Sequence, residues 1–276
     1  MSSPLQDSAM LVTLTISQWT ARKFDRKVTK EVNTTHGAKD AGRFNKLLIA
    51  ADALAPLGQI EGAARAHHYS VTLPWGNLGE RLLPATLFKG YTDEMSTFER
   101  EFDKRVADLV RIYPQLVQDA RAQLGGLYDP ADYPQEIRSR FSFKINFTPV
   151  PSAADFRVNL NADFVEQIKA DITRQQQSRQ TEAVKHVWTR VREVVEKIQE
   201  VCSKEKPRIF DSMIENASQL ISILPALNIN GDPELDKIAE QMKALVVPVD
   251  SLRNSVTRRH AVKKSADQIL ASMPWA

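Results

Sequence analysis

The chain has 276 residues, of which 42% are hydrophobic and 26% charged, and carries a formal net charge of +3. That length suits one large domain or two modest ones, and the composition suits a soluble globular protein rather than a disordered one. No apolar run reaches the roughly 18–20 residues of a membrane helix, no basic-then-apolar leader opens the sequence, and the lone Cys202 cannot close an internal disulfide, so a soluble cytoplasmic protein with no membrane contact is expected.

In chain order, Val12, Leu14 and Ile16 alternate with Leu11, Thr13, Thr15 and Ser17, which predicts a short strand over 11–17. A basic helix is expected from Trp19 to about Val32. Arg22, Arg26 and Lys30 step by four along it with Lys23 and Lys27 beside them, a local charge of +4 over 20–30, while Phe24 and Val28 lie on another side. Helices are expected over Ala41–Leu54 and Pro56–His68, followed by a turn-rich loop from Thr72 to Gly79.

From Ala85 the period becomes helical: Phe88, Tyr91, Met95, Phe98, Phe102, Val106, Leu109 and Tyr113 recur every three or four residues. Pro114 either kinks this helix or starts a new one, and Gly125-Gly126 ends it. Phe141, Phe143, Ile145 and Phe147 then alternate with polar residues, as do Phe156, Val158 and Leu160. With Thr148–Pro151 as the connection, they predict a small β-hairpin over about 141–160. Tyr128, Tyr133, Phe141, Phe143, Phe147 and Phe156 crowd this region, and a core around the hairpin is favoured over an exposed base-stacking face.

Residues 152–206 hold neither proline nor glycine, so a helix can run from about Asn161 to Lys204, roughly 65 Å. Val165, Ile168 and Ile172 form one stripe. Val184, Trp188, Val191, Val195, Ile198 and Cys202 form a second with near-heptad steps, which suits a coiled-coil partner. That partner is either a second copy, giving a homo-oligomer through 184–202, or a helix of the same chain such as 85–124. Between the stripes, Thr173–Thr181 contains nothing apolar, so the helix either breaks there or crosses solvent as a rod.

Three further helices are expected, Arg208–Leu227, Pro233–Val247 and Asp250–Met273. Gly231, Asp232 and Pro233 read as a turn, an N-cap and a first helical position rather than a calcium loop. Residues 252–265 carry Arg253, Arg258, Arg259, Lys263 and Lys264 with no acid, a local +5. Both basic segments lie toward the ends and the rest is net acidic. The fold class is therefore mainly α, with long, partly coiled-coil helices around a small β element, in three regions: 1–84, 85–206 and 207–276.

Histidines at 36, 67, 68, 186 and 260 have no metal-ligand spacing, and neither a phosphate loop, a dinucleotide fingerprint nor a nucleophile elbow occurs. No catalytic activity, metal or cofactor is expected. The two basic ends are the chemical feature left. Arg22, Lys23, Arg26, Lys27, Lys30, Arg258, Arg259, Lys263 and Lys264 are the candidate contacts to DNA or RNA phosphates. The alternative is a helical adaptor that binds another protein and makes no nucleic-acid contact.

Trp19 with Ala21-Arg22-Lys23, Thr72-Leu73-Pro74-Trp75-Gly76 leading to Gly79-x-Arg81-Leu82-Leu83-Pro84, Asp132-Tyr133-Pro134, and Pro151 leading to Asp155-Phe156-Arg157-Val158 resemble a family of uncharacterised proteins encoded by bacteriophages and prophages. The resemblance covers roughly residues 10–165. It implies a phage origin and a protein made inside an infected bacterium, in its cytoplasm, where an adaptor's partner would be a host or phage protein, and it carries over no active-site residues.

Overall fold

Long stretches without helix breakers dominate the chain, and the computed structural model, which describes residues 5–76, 79–152 and 162–274, is accordingly mainly α with a small antiparallel β element. The elements are α1 (Leu5–Ser8), β1 (Ala9–Ser17), β2 (Arg22–Phe24), α2 (Arg26–Thr35), β3 (Asn45–Leu47), α3 (Ala55–Val71), β4 (Leu73–Pro74), β5 (Arg81–Pro84), α4 (Phe88–Leu124), β6 (Ser142–Pro149), α5 (Ala162–Ser203), α6 (Asp211–Leu227), α7 (Pro233–Met242), α8 (Val249–Asn254) and α9 (Val256–Ala271). One sheet has the order β4-β5-β1-β6, and β2 and β3 form a separate ribbon.

The chain divides into two compact units, each gathered from distant segments. Unit 1 takes the residues up to Thr13, His68–Tyr91 and those from Asn146 onward; unit 2 takes Leu14–His67 and Thr92–Ile145. The chain passes from one to the other within β1, α3, α4 and β6.

In unit 1, α5 is a single helix of 42 residues, unbroken through the polar stretch 173–181. Its stripe is buried: Val191, Val195 and Ile198 are fully enclosed with Val262, Ala266 and Ile269 of α9 and Ala217, Leu220 and Leu224 of α6. The stripe, expected to meet either a second copy or a helix of the same chain, is thus covered from within the chain, with α9 as its principal partner. Each large side chain so enclosed contributes about 1.5–3 kcal/mol. The last expected helix is two, because Ser255 is extended and caps α9 by accepting from the Arg258 amide. Asp232 caps α7 with Pro233 behind it and Gly231 at φ +62°, as the turn chemistry requires.

In unit 2, Leu57, Ile60 and Ala64 of α3 and Met95, Phe102, Val106 and Leu109 of α4 supply buried faces. The Phe102 and Phe143 rings meet at 5.8 Å, and Trp19 meets Tyr113 edge-on at 5.9 Å. Phe141 and Phe143 are buried, so this part of the aromatic cluster is core. Pro114 stays inside α4, and Gly125 at φ +51° opens the turn that ends it.

Two expectations are corrected in the β elements. Within the loop expected from Thr72 to Gly79, Leu73–Pro74 is strand β4, which pairs with β5 (Leu73↔Leu82), and β5 pairs in turn with β1 (Leu11↔Leu82). β6 forms where the alternation predicts it but neighbours β1 in the sheet order; the expected hairpin mate at 156–160 lies outside the described residues, as do Asp155–Val158 of the phage-family resemblance.

Candidate nucleic-acid interface

The expected basic helix from Trp19 is a strand followed by a shorter helix. Arg22 and Lys23 lie on β2, and only Arg26, Lys27 and Lys30 lie on α2. The break falls at Asp25, which is extended and whose carboxylate accepts from the amides of Lys27 at 3.0 Å and Val28 at 3.1 Å. A side chain that caps from this position ends the strand and starts the helix at once. The expected helix 41–54 is also corrected: Asn45–Leu47 is β3, antiparallel to β2 with Arg22↔Leu47, Lys23↔Lys46 and Phe24↔Asn45 in register. The Thr29 hydroxyl ties α2 to the ribbon, accepting from the Phe44 amide at 3.0 Å and donating to the Asp25 carbonyl at 2.7 Å.

Lys23 and Lys46 face each other across the ribbon, an arrangement that like charges disfavour. Asp132 offsets it, 2.6 Å from Lys46 and 3.8 Å from Lys23. Lys46 is only 7% exposed and also lies 3.7 Å from Asp25 while donating to the Leu127 carbonyl at 2.8 Å. The Asp132 hydrogen bond raises the Lys46 pKa above its usual value against the opposing effect of burial, and the Val28 amide, more than any charge, lowers that of Asp25. Nearby, the Tyr133 hydroxyl donates to the Leu48 carbonyl at 2.9 Å, and burial pushes its pKa up to about 12. One lysine of the segment is therefore an internal anchor.

The other cations point outward. Between residues 22 and 47 stand eight Lys or Arg and three Asp or Glu. Arg22, Arg26, Lys27 and Lys30, with Lys39 and Arg43, are exposed and have no ion-pair partner among the described residues. Phe24 and Phe44 beside them are 40% and 37% exposed, and the Arg43 guanidinium lies 5.9 Å from the Phe24 ring centroid. α2 buries no residue fully. Lys39, Arg43 and Phe44 escape a reading confined to 20–30; the pairing of β2 with β3 brings them alongside, and the signal was the charge of 39–46.

The C-terminal basic segment, which belongs to unit 1, is arranged differently. Arg259 is 7% exposed and donates to the carbonyls of Leu252 at 2.8 Å and Arg253 at 3.4 Å, so it closes the end of α8 and is not a surface contact. Lys263 pairs with Asp267 at 2.7 Å, and Arg253 with Asp211 at 2.9 Å and Asp250 at 3.1 Å. Of the candidates there, Arg258 and Lys264 alone are exposed and lack an ion pair among the described residues. A basic surface missed by sequence reasoning lies elsewhere in unit 1, where Lys204, Lys206 and Arg208 border a groove of about 600 Å³ beside Phe210, which is 65% exposed. Its signal was the Lys-Glu-Lys-Pro-Arg run after α5, although Glu200 neutralises Lys204 at 2.6 Å.

Among the described residues no His, Cys, Asp or Glu group is arranged to hold a metal ion, and no helix is long and apolar enough to cross a membrane. Cys202 is buried and burial raises its thiol pKa, which makes it a core residue rather than a nucleophile. No protein-family model, curated protein or solved structure matches the chain.

Proposed function

We propose that the protein is a non-enzymatic nucleic-acid-binding accessory protein of a phage, acting through β2, α2 and β3. The observation that carries this reading is the concentration, on one small module next to two exposed phenylalanine rings, of exposed cations with no ion pair among the described residues. Cations that are not neutralised from within the fold take up phosphates, and rings on a ribbon edge stack on unpaired bases. Single strands are therefore the preferred ligand. Fluorescence anisotropy with labelled single-stranded and duplex oligonucleotides across a salt series tests it. Binding should be sequence-tolerant, tighter for single strands, and should weaken linearly with log salt.

The adaptor reading rests on a different feature of the same module: Val32 and Leu47 are also exposed there, 49% and 47%. An acidic protein with an apolar centre would fit such a surface. Absence of oligonucleotide binding even at low salt makes that reading the leading one.

A further inference from the structure

Two guanidinium groups in unit 1 are half-buried with no carboxylate paired to either among the described residues. Arg81, at the start of β5, donates through Nε to the Thr72 hydroxyl at 2.6 Å and through Nη2 to the Thr72 carbonyl at 3.0 Å, with its cation 4.8 Å from the Tyr69 ring centroid. Arg190, on α5, donates through Nη2 to the Ser70 carbonyl at 2.7 Å, but its Nη1 is buried with no acceptor among the described residues. These partners are neutral, so they orient the two cations without cancelling them. Burial lowers the pKa of both, Arg190 lowers that of Arg81 further, and Glu193 and Tyr69 act in the opposite sense on Arg190 and Arg81 respectively.

More donors converge on this region. His186 stands one helical turn before Arg190; burial and then both arginines depress its pKa, and its Nδ1 is buried without a partner among the described residues. Trp75 lies one residue beyond Pro74, the β4 partner of Arg81 in the ladder; the residue is 1% exposed and its Nε1 is buried without an acceptor among the described residues. The same face of α5 carries Arg179, whose Cζ lies 3.2 Å from where a Cβ on Gly76 would be; Gly76 also holds φ +74°. Partly buried cations without a counter-charge and buried ring nitrogens without partners are costly, and such groups persist where an anion completes them.

We infer that β4, β5 and the Arg179–Arg190 face of α5 form a binding site for a phosphate oxyanion, with Arg81 and Arg190 as the charged clamp and Trp75 Nε1 and His186 Nδ1 as neutral donors. A phosphate offers the double charge and the several acceptor oxygens that two guanidiniums and two ring N–H groups require. The site stands apart from the β2–α2–β3 reading, since none of its residues belongs to that module. Its ligand is a phosphate group, free or at the end of a nucleotide chain.

Calorimetric titration of the full chain with inorganic phosphate at constant ionic strength tests it, alongside a 5′-phosphorylated oligonucleotide and its 5′-hydroxyl counterpart. Saturable one-site phosphate binding is expected, weakened at least about tenfold in Arg190→Met and in Trp75→Phe, as loss of a hydrogen bond to a charged group implies. Trp75→Phe removes the donor together with the five-membered ring of the indole but leaves both arginines in place, so at an unchanged melting temperature it decides the matter if Arg190→Met folds poorly. Tighter binding of the phosphorylated than of the hydroxyl oligonucleotide, with the difference lost in Trp75→Phe, supports a strand terminus as ligand; binding of inorganic phosphate alone supports the free ion. No saturation by phosphate, or equal affinity in wild type and both variants, overturns the site. Replacing Arg26 and Lys30 by alanine should leave inorganic-phosphate affinity unchanged, which separates this result from the fate of the nucleic-acid proposal.

Discussion

Residues 22–30 and residues 253–264 each carry five Lys or Arg side chains, and they differ in what stands beside those charges. Around 253–264, Asp211, Asp250 and Asp267 pair with Arg253 and Lys263, and two backbone carbonyls enclose Arg259. Around 22–30, Asp132 reaches one lysine of the segment, and Asp25 spends its carboxylate on the α2 amides and on Lys46. Charge density in a window of sequence is thus a poor measure of available charge. What decides is whether acids and carbonyls from elsewhere in the fold are brought to it.

The comparison can be broken first at its anchor. Asp132→Asn leaves Lys46 buried with weakened compensation and still opposed to Lys23. Removing one partner of a buried pair typically costs about 3–5 kcal/mol. Urea unfolding followed by tyrosine and tryptophan fluorescence should show a loss of that order, and an unchanged midpoint would mean that Asp132 does not hold the ribbon.

A smaller effect is expected at the C-terminal counterpart. Arg259→Met keeps the bulk and leaves the Leu252 and Arg253 carbonyls without their donor, a loss of about 1–3 kcal/mol. Oligonucleotide affinity should not change. A variant with wild-type stability and weakened binding would place Arg259 at an interface after all.

Long elements were legible in the sequence because period and breakers agree. Met95, Phe102, Val106 and Leu109 define the buried face of α4, Gly125 ends it, and the absence of proline and glycine after 152 allows α5 its length. Short elements were not. Two-residue β4 and three-residue β2 and β3 are too brief for alternation to register, and their formation depends on tertiary partners: Asp132 for Lys46 and β1 for β5. For the candidate interface, residue type and exposure were legible at Arg26, Lys27 and Lys30. The burial of Arg259 was not, because it depends on a helix break at Ser255 that a continuous basic run conceals. Nor was the division into two units, since each draws on distant stretches of chain.

The smallest effect on the fold should accompany the largest effect on binding. Replacing Arg22, Arg26 and Lys30 by alanine should alter stability by less than about 0.5 kcal/mol, since all three are exposed and unpaired among the described residues. The matched triple replacement of Arg258, Lys263 and Lys264 removes as much formal charge from the other end. Salt-dependent anisotropy with one single-stranded oligonucleotide, run on wild type and both triple variants, therefore separates available from neutralised charge. The slope of log affinity against log salt should flatten by about 2 units for the first variant, at roughly 0.7 per phosphate contact, and by less than about 1 for the second. Equal flattening in the two, or none in the first, would contradict the assignment of binding to β2, α2 and β3.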